Sequence, residues 1–304
     1  MQAKATALPL HKKPAVVSIT GMAFLIPAFA FLIYANYVPF VWNLLLSFQS
    51  WDGYLNQKWI AFANYLRLFQ DELFVTSIVN SVFLAVSATI GSVLIGVVSA
   101  GFLYKVGKRE GAVYRLILFM PSMMPIAVIA LLFTFIYNPE MGMLNNFLKA
   151  IGLGQFANAW LEDRNTIMWC VSIVNVWRMA GLTMMLCFSS MLMLNESLFE
   201  SSKLDGATYR IQFFKIVLPL IKPIIQLSTV YTLTVNFKTY DTVFIMTRGG
   251  PGNISMTVPI YMVDTAFTFA EFGYAATMGV AITVVIIACI ALVNRALGGD
   301  HYEY

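Results

Sequence analysis

Charge is scarce in this chain. Only 11% of its 304 residues are Asp, Glu, Lys or Arg, while 59% are apolar and mean hydropathy is +0.75. Polar surface cannot cover such a composition in water, which excludes a soluble domain and implies an integral membrane protein. The net charge of +4 is too small to make nucleic acid a partner. Histidine is nearly absent: His11 and His301 lie in opposite tails, so no Ser-His-Asp set converges. Three cysteines, Cys170, Cys187 and Cys289, sit inside apolar blocks without disulfide or metal-ligand spacing. There a thiol behaves as a small hydrophobe, and the redox compartment stays undetermined.

Catalytic signatures are missing as well. The nearest thing to a phosphate loop, Gly101 to Lys108, has five residues between Gly101 and Gly107, and Arg109 replaces the Ser or Thr that would hold magnesium. Acidic residues are almost all outside the apolar blocks. If ATP drives this protein, another chain must bind it.

What is there in abundance is apolar sequence in long runs. A helical span needs roughly 20 apolar residues to cross about 30 Å of hydrocarbon. Six blocks qualify, at 16–36, 77–104, 114–137, 166–194, 216–246 and 274–297, and a further apolar piece runs from Pro39 to Phe48. The basic start (Lys4, Lys12, Lys13) with Ala28-Phe29-Ala30 resembles a signal peptide, but the apolar run continues well past Ala30, so a retained first span is expected. Ser92, Gly96 and Ala100 repeat every fourth residue in the second block, a strip that lets another helix approach closely.

Loop charge sets the expected orientation. Eleven Lys and Arg fall on the side holding both termini and the 196–215 insert, against five on the other. By the positive-inside rule the first side is cytoplasmic.

That insert is the most informative segment. Glu196 to Lys203 is helix-compatible, with Leu198, Phe199 and Ser202 able to share a side, and Gly206 permits a tight turn. Its charges balance, so attraction to anionic lipid explains it poorly; a short amphipathic helix suits a protein groove. An ordinary loop between spans is the competing reading.

The order Glu200-Ser201-Ser202, three residues, Gly206, nine residues, Ile216-x-Leu218-Pro219 resembles the Glu-Ala-Ala coupling motif of ABC importer permeases, with serines in place of both alanines. Asn64-Tyr65, Leu68-Phe69, Asp205-Gly206-Ala207, Phe237 with Asp241, Gly249-Gly250-Pro251-Gly252 and Gly273-Tyr274-Ala275-Ala276 are similar to the carbohydrate-type group related to the maltose and glycerol-phosphate systems. The resemblance implies an all-α polytopic protein with six transmembrane helices and the type I permease fold. It implies a tail at 1–15, a permease domain over 16–297 with a cytoplasmic coupling loop at 196–215, and a tail at 298–304. The coupling residues would be Glu200, Ser201, Ser202, Leu204, Asp205, Gly206 and Ala207. Expected partners are a second homologous permease in a heterodimer, two cytoplasmic ABC ATPases carrying ATP and Mg, an extracytoplasmic solute-binding protein, and lipid. This chain would bind no cofactor of its own. The expected setting is a bacterial or archaeal inner membrane.

Polar residues stranded in spans usually face a cavity or a partner helix. Asn175 and Arg178 lie one turn apart in the fourth span, and Thr232, Asn236 and Thr239 share a face of the fifth, with Tyr240 beside them. Related maltose permeases place sugar contacts in these two spans, matching Asn175 and Asn236 in type. Interhelical gluing is the alternative for these residues. Arg178 suits a carboxylate or phosphate, or a structural role after Trp177. Lys238 and Asp241 are placed to form a local ion pair. The function implied is import of a sugar, an oligosaccharide or a related, even acidic, polyhydroxylated solute. An ion-coupled carrier or channel is the alternative, although no internal repeat is visible.

Overall fold

The structure is a computed structural model that describes residues 19–106 and 108–298. The expected tail at 1–15, residues 16–18 of the first expected span, and residues 299–304 lie outside the described residues. So do His11, His301 and the three basic residues Lys4, Lys12 and Lys13.

Helices make up most of the described chain. They begin with α1 (Ile19–Leu32), a π turn (Ile33–Tyr37) and α2 (Val38–Leu46), followed by α3 (Ala63–Gln70) and the long α4 (Glu72–Lys105). Next come α5 (Lys108–Met123), α6 (Ile126–Ile136), α7 (Met143–Ala150), α8 (Ile167–Leu192) and α9 (Glu196–Leu204). A bent limb follows, made of α10 (Tyr209–Gln212), a π turn (Phe213–Val217), α11 (Leu218–Leu220) and α12 (Lys222–Phe237). The chain closes with α13 (Asp241–Met246), α14 (Val258–Val263) and α15 (Phe272–Leu297). The strands among the described residues are one antiparallel pair, β1 (Gln49–Ser50) and β2 (Lys58–Trp59), in register Gln49↔Trp59.

Two compact units divide at Leu45 and Leu46. In the first, apolar side chains point outward all round the helix, Phe24 to 81% and Phe31 to 71% exposure. Such a helix belongs in hydrocarbon or against another helix. Its apolar run stays helical to Leu46, beyond the expected end at 36. The π turn sits just before Pro39, and the other limb repeats this with a π turn just before Pro219. A proline cannot donate to the carbonyl four residues back and its ring crowds that carbonyl, so a wider turn at that point relieves the helix.

In the second unit α4 packs along α8. The small-residue strip is what permits the closeness: a Cβ on Gly96 would lie 2.6 Å from Thr183 Cβ, and one on Gly91 2.6 Å from Val176 Cγ2. Ser92 and Ala100 on the same strip are fully buried, and the Ser87 and Ser172 hydroxyls meet at 2.8 Å across the seam. On the other flank of α8, Gly181 brings α5 so close that a Cβ would sit 2.2 Å from the Leu118 carbonyl oxygen. One apolar cluster includes Leu84, Ile129, Val171, Val174, Val243 and Ile260, and another joins Leu103, Met184, Met191, Phe199, Val217 and Ile221.

Among the described residues, four helices are long and apolar enough to cross a membrane, and two bent pairs raise that to six if each counts as one span. Three expected blocks, 77–104, 166–194 and 274–297, fall on α4, α8 and α15. The other two in this unit are broken. The 114–137 block bends by 96° between α5 and α6, because Pro125 disfavours helix at Met124 and then opens the next one. The 216–246 block bends by 66° at Ile221, where Lys222-Pro223 starts a new helix. It breaks again at Lys238–Tyr240. Lys238 and Asp241 are exposed there and make no ion pair; the pair found among the described residues is Arg67–Glu271 at 2.7 Å. Asp241 instead lies in the first turn of α13, where a carboxylate complements the helix dipole.

At the end of α4 remote from α9, Asp71 holds several elements together. Its Oδ1 accepts from the Leu73 and Phe74 amides at 3.0 Å, capping α4, and its Oδ2 accepts from the hydroxyls of Tyr261 and Tyr274 at 2.7 Å each. Partial burial raises the Asp71 pKa, but the tyrosine and amide donors outweigh it and hold the carboxyl below its ordinary value. The contribution is therefore full above the ordinary carboxyl range, about pH 4, and is lost as pH falls through the lowered folded value. Replacing Asp71 by Ala is expected to cost about 2 kcal/mol from the lost cap and charged hydrogen bonds. Unfolding of the solubilised protein followed from pH 6 to pH 3 should show wild type losing that margin over the variant at the acid end. A constant gap would mean that the carboxylate charge is not what matters.

Candidate functional site

Helix α9 follows α8 after only three residues and is capped at both ends. Asn195, in extended conformation at the N-cap, accepts from the Ser197 amide at 3.0 Å. Glu196 lies in the first turn and Lys203 in the last, each favourable to the helix dipole. The C-terminus closes with the Gly206 amide donating to the Lys203 carbonyl at 3.0 Å and the Ala207 amide to the Ser202 carbonyl at 2.9 Å. This is the Schellman closure, which needs a left-handed residue at Gly206; its φ is +77°. A Cβ there would meet nothing within 4 Å, so backbone conformation and not crowding calls for glycine. Asp205-Gly206-Ala207 is in physical terms a stop signal.

One side of α9 is fixed. Phe199 is buried with Met191, Val217 and Ile221, and its ring lies 5.7 Å from that of Tyr104 at the end of α4. Of the three residues expected on that side, Ser202 is half-buried while Leu198 is exposed. Glu200, Ser201, Leu204, Asp205 and Gly206 are exposed, Leu204 to 90%, and Ala207 is half-buried. The two serines that replace alanines differ in kind. Ser201 Oγ donates to the Ser197 carbonyl on the open face at 2.9 Å. Ser202 Oγ donates to the Phe199 carbonyl at 2.9 Å and accepts from Gln212 Nε2 at 2.8 Å. Buried Gln212 also reaches the Phe199 carbonyl at 3.3 Å, so a side chain at the start of the bent limb is tied directly to α9.

The polar residues of the spans are less unified than their spacing suggests. Asn175 is fully buried and its Oδ1 accepts from Thr242 Oγ1 on α13 at 3.4 Å. Asn236, at the end of α12, is buried and donates through Nδ2 to Thr89 Oγ1 on α4 at 3.3 Å. The two asparagines thus contact different helices. Each keeps one buried amide atom without a hydrogen-bond partner, Nδ2 of Asn175 and Oδ1 of Asn236, a cost of about 1–3 kcal/mol apiece. Arg178 is half-buried with Nε unpartnered, and its carbonyl accepts from Ser122 Oγ at 2.5 Å. Thr232 is buried and spends its hydroxyl on the Ser228 carbonyl of its own helix at 2.8 Å. Thr239 does not continue the α12 face, since the helix ends at Phe237; it sits in the break and donates to the Val235 carbonyl at 3.3 Å. Tyr240 stacks on Phe244 with centroids 5.0 Å apart. Three described cavities, of about 610, 580 and 240 Å³, have none of these six residues in their linings.

Sequence reasoning missed Thr89, Thr242 and Gln212. Thr89 lies three residues before Ser92, beside the small-residue strip, whose fourfold step back from Ser92 lands on Ala88. Thr242 becomes a neighbour of Asn175 only because the chain breaks after Phe237. Gln212 carried one weak signal, a lone amide between Ile211 and Phe213.

Up to six candidate membrane-crossing limbs among the described residues, with a capped and exposed helix between two of them, make this a multi-pass membrane protein. Residues 92–299 match the family described as "Binding-protein-dependent transport system inner membrane component", and the chain belongs to that family. It is 38% identical over 271 residues to the probable ABC transporter permease protein YurN of Bacillus subtilis (strain 168), covering 88% of this chain and 91% of that protein. It is 30% identical over 297 residues to the diacetylchitobiose uptake system permease protein NgcF of Streptomyces coelicolor, covering 93% of this chain and 84% of that protein. In fold it is similar to a chain of a bacterial ABC transporter involved in the import of the acidic polysaccharide alginate, with TM-score 0.79 at 23% identity over 91% of this chain and 94% of that one. The protein is a permease subunit of an ABC importer, and the ion-coupled carrier or channel is set aside.

Replacing Ser202 by Ala, the residue of the family motif, would remove the shorter of the two acceptors of buried Gln212. A loss of about 1 kcal/mol in the attachment of α9 is expected, read as faster amide exchange from Phe199 to Ala207 with α4 and α8 unchanged. Exchange at wild-type rates would make Ser202 a neutral replacement.

Proposed function

We propose that this permease forms half of the path for a sugar, an oligosaccharide or a related polyhydroxylated solute. A second homologous permease completes the pore, a solute-binding protein delivers from outside, and two cytoplasmic ATPases that bind ATP and Mg dock on the α9 segments. In this reading both termini and α9 face the cytoplasm, as the excess of basic residues on that side supports. The carbohydrate class draws on relatives named for diacetylchitobiose uptake and lactose transport. Half-buried Arg178 suits an acidic member of that class, and the fold-level likeness to an alginate importer is in keeping with it.

The observation that carries the reading is α9 itself: closed at both ends, open along Glu200 to Asp205, and anchored to the bundle by Phe199 and Gln212. A pull on Glu200, Ser201, Leu204 and Asp205 is borne by a helix that cannot fray at Gly206. Phe199 passes the displacement to α4 and α8, and Gln212 passes it to the limb that ends in α12. Asn175 lies on α8, about 26 Å of helix from Leu192, and Asn236 lies on α12. Movement of these helices against α4 and α13 would separate or close the Asn175–Thr242 and Asn236–Thr89 contacts, alternating the access of solute to the open amide atoms. The chemistry of ATP hydrolysis belongs to the partner; this chain orients, grips and moves.

Reconstitution with the partner ATPases and binding protein tests both ends. Replacing Glu200 and Gly206 is expected to abolish ATPase retention and solute-stimulated hydrolysis; transport that persists with no ATPase present would sink the coupling reading. Asn236→Ala is expected to lower uptake about tenfold, the equivalent of one hydrogen bond to solute, with the complex fully assembled. Failure of assembly would assign Asn236 to packing.

A further inference from the structure

The cavity of about 580 Å³ opens at the α9 end of the bundle, between the last turns of α4 and the first of the bent limb. Its wall is apolar and open: Val98, Phe102 and Phe214 are 52%, 71% and 65% exposed. Its floor is closed where Gly101 lets the Phe213 ring approach to 2.5 Å of the position a Cβ would take. Lys105 and Arg210 also line it and are exposed, and no acidic side chain does. Among the described residues neither cation has a carboxylate within 4.0 Å, the ion pair there being Arg67–Glu271. Lys105 Nζ lies 5.6 Å from the centroid of the Tyr209 ring, and that ring is pinned by its hydroxyl donating to the Gly101 carbonyl.

Depth separates the two kinds of lining. Lys105 ends the membrane-crossing α4, and Val98 lies about 10 Å deeper along it. Two unneutralised cations therefore stand where the hydrocarbon gives way to headgroups, directly above an apolar wall. A lipid phosphate satisfies the cations, each Lys or Arg near an anionic surface contributing about 1 kcal/mol, and an acyl chain covers the wall. Free phosphate would use only the first half, and a partner's apolar helix only the second.

We propose that this trough binds an anionic phospholipid, its phosphate between Lys105 and Arg210 and an acyl chain along Val98, Phe102 and Phe214. The lipid bridges the end of α4 to the segment that leaves the Gly206 turn, so it fastens the α9 region to the bundle from the lipid side. Binding requires only that the bundle lie in a bilayer. Its effect on ATP hydrolysis rests on the docking role proposed for α9, and the two are read separately.

The test uses the assembled complex in nanodiscs of phosphatidylcholine with graded phosphatidylglycerol. Retained lipid is counted by native mass spectrometry and hydrolysis is measured in parallel. Lys105→Gln with Arg210→Gln is expected to weaken selective phosphatidylglycerol retention about tenfold or more and to flatten the dependence of hydrolysis on its fraction. Lys105→Arg keeps the charge and should keep the lipid. Lys215→Gln, an equal charge loss outside the trough, should retain it too. Equal retention by the double variant, equal loss in Lys215→Gln, displacement by millimolar inorganic phosphate, or no retained phosphatidylglycerol in wild type would each overturn the proposal. The last outcome would assign the trough to a partner chain. Altered lipid retention with unchanged hydrolysis would leave the site standing and remove only its link to coupling.

Discussion

The seam between α4 and α8 is the contact on which the rest of the bundle depends. In a bilayer the lipid tails are as apolar as the side chains, so helices gain nothing by merely hiding hydrophobic surface and must associate through close packing and interhelical hydrogen bonds. Gly91 and Gly96 provide the first, because any Cβ would collide with Val176 or Thr183, and the Ser87–Ser172 pair provides the second. Position along this seam fixes α8, and α8 in turn fixes α9 three residues beyond its end. It also fixes Asn175, which faces α13, while Thr89 of α4 meets Asn236 of α12.

The same solvent constrains where helices are allowed to break. An unsatisfied backbone group in hydrocarbon is costly, so a break is tolerated only where local bonds or neighbours absorb the freed groups. At the α5 to α6 bend the Met124 amide donates to the Pro121 carbonyl at 3.3 Å and the Val128 amide to the Pro125 carbonyl at 3.0 Å. At Ile221 its own carbonyl accepts from both the Ile224 and the Ile225 amides, at 2.9 and 3.0 Å. At the third break the Lys238 and Thr239 amides turn back to the Val235 and Asn236 carbonyls, at 3.2 and 3.3 Å. Each break therefore re-aims the chain with its ladder locally closed, and the break after α12 is what delivers Thr242 to Asn175.

Much of this was legible in residues whose meaning is local. The strip of Ser92, Gly96 and Ala100 announced a close helix contact, and Gly206 announced a tight turn, because small size and left-handed backbone are properties of single positions. Proline was legible only in part: Pro125 and Pro223 stand inside apolar blocks of the sequence, but how far the chain bends depends on what packs outside it. Treating residues 216–246 as one helix put Thr239 on the face of Asn236, whereas the helix ends two residues before it. Partners across the bundle were the least legible. Asn236 and Thr89 are 147 residues apart, and no local pattern pairs them.

The two asparagines also bear on whether buried polar groups here serve as glue or as a path. A gluing pair closes its accounts, as the Ser87 and Ser172 hydroxyls do at 2.8 Å. Asn175 and Asn236 make interhelical bonds of 3.4 and 3.3 Å, at the weak end of the range, and each leaves an amide atom buried and open. Open hydroxyls occur elsewhere, but that of Thr183 lies where Gly96 presses the two long helices together, and packing alone accounts for it. Neither asparagine is among the side chains met at a glycine contact. A half-satisfied amide is unfavourable in a permanently closed wall, whereas weak bonds that exchange for a hydroxylated solute cost little to open. The long contacts to Thr89 and Thr242 are thus of the kind that the proposed alternating path would use.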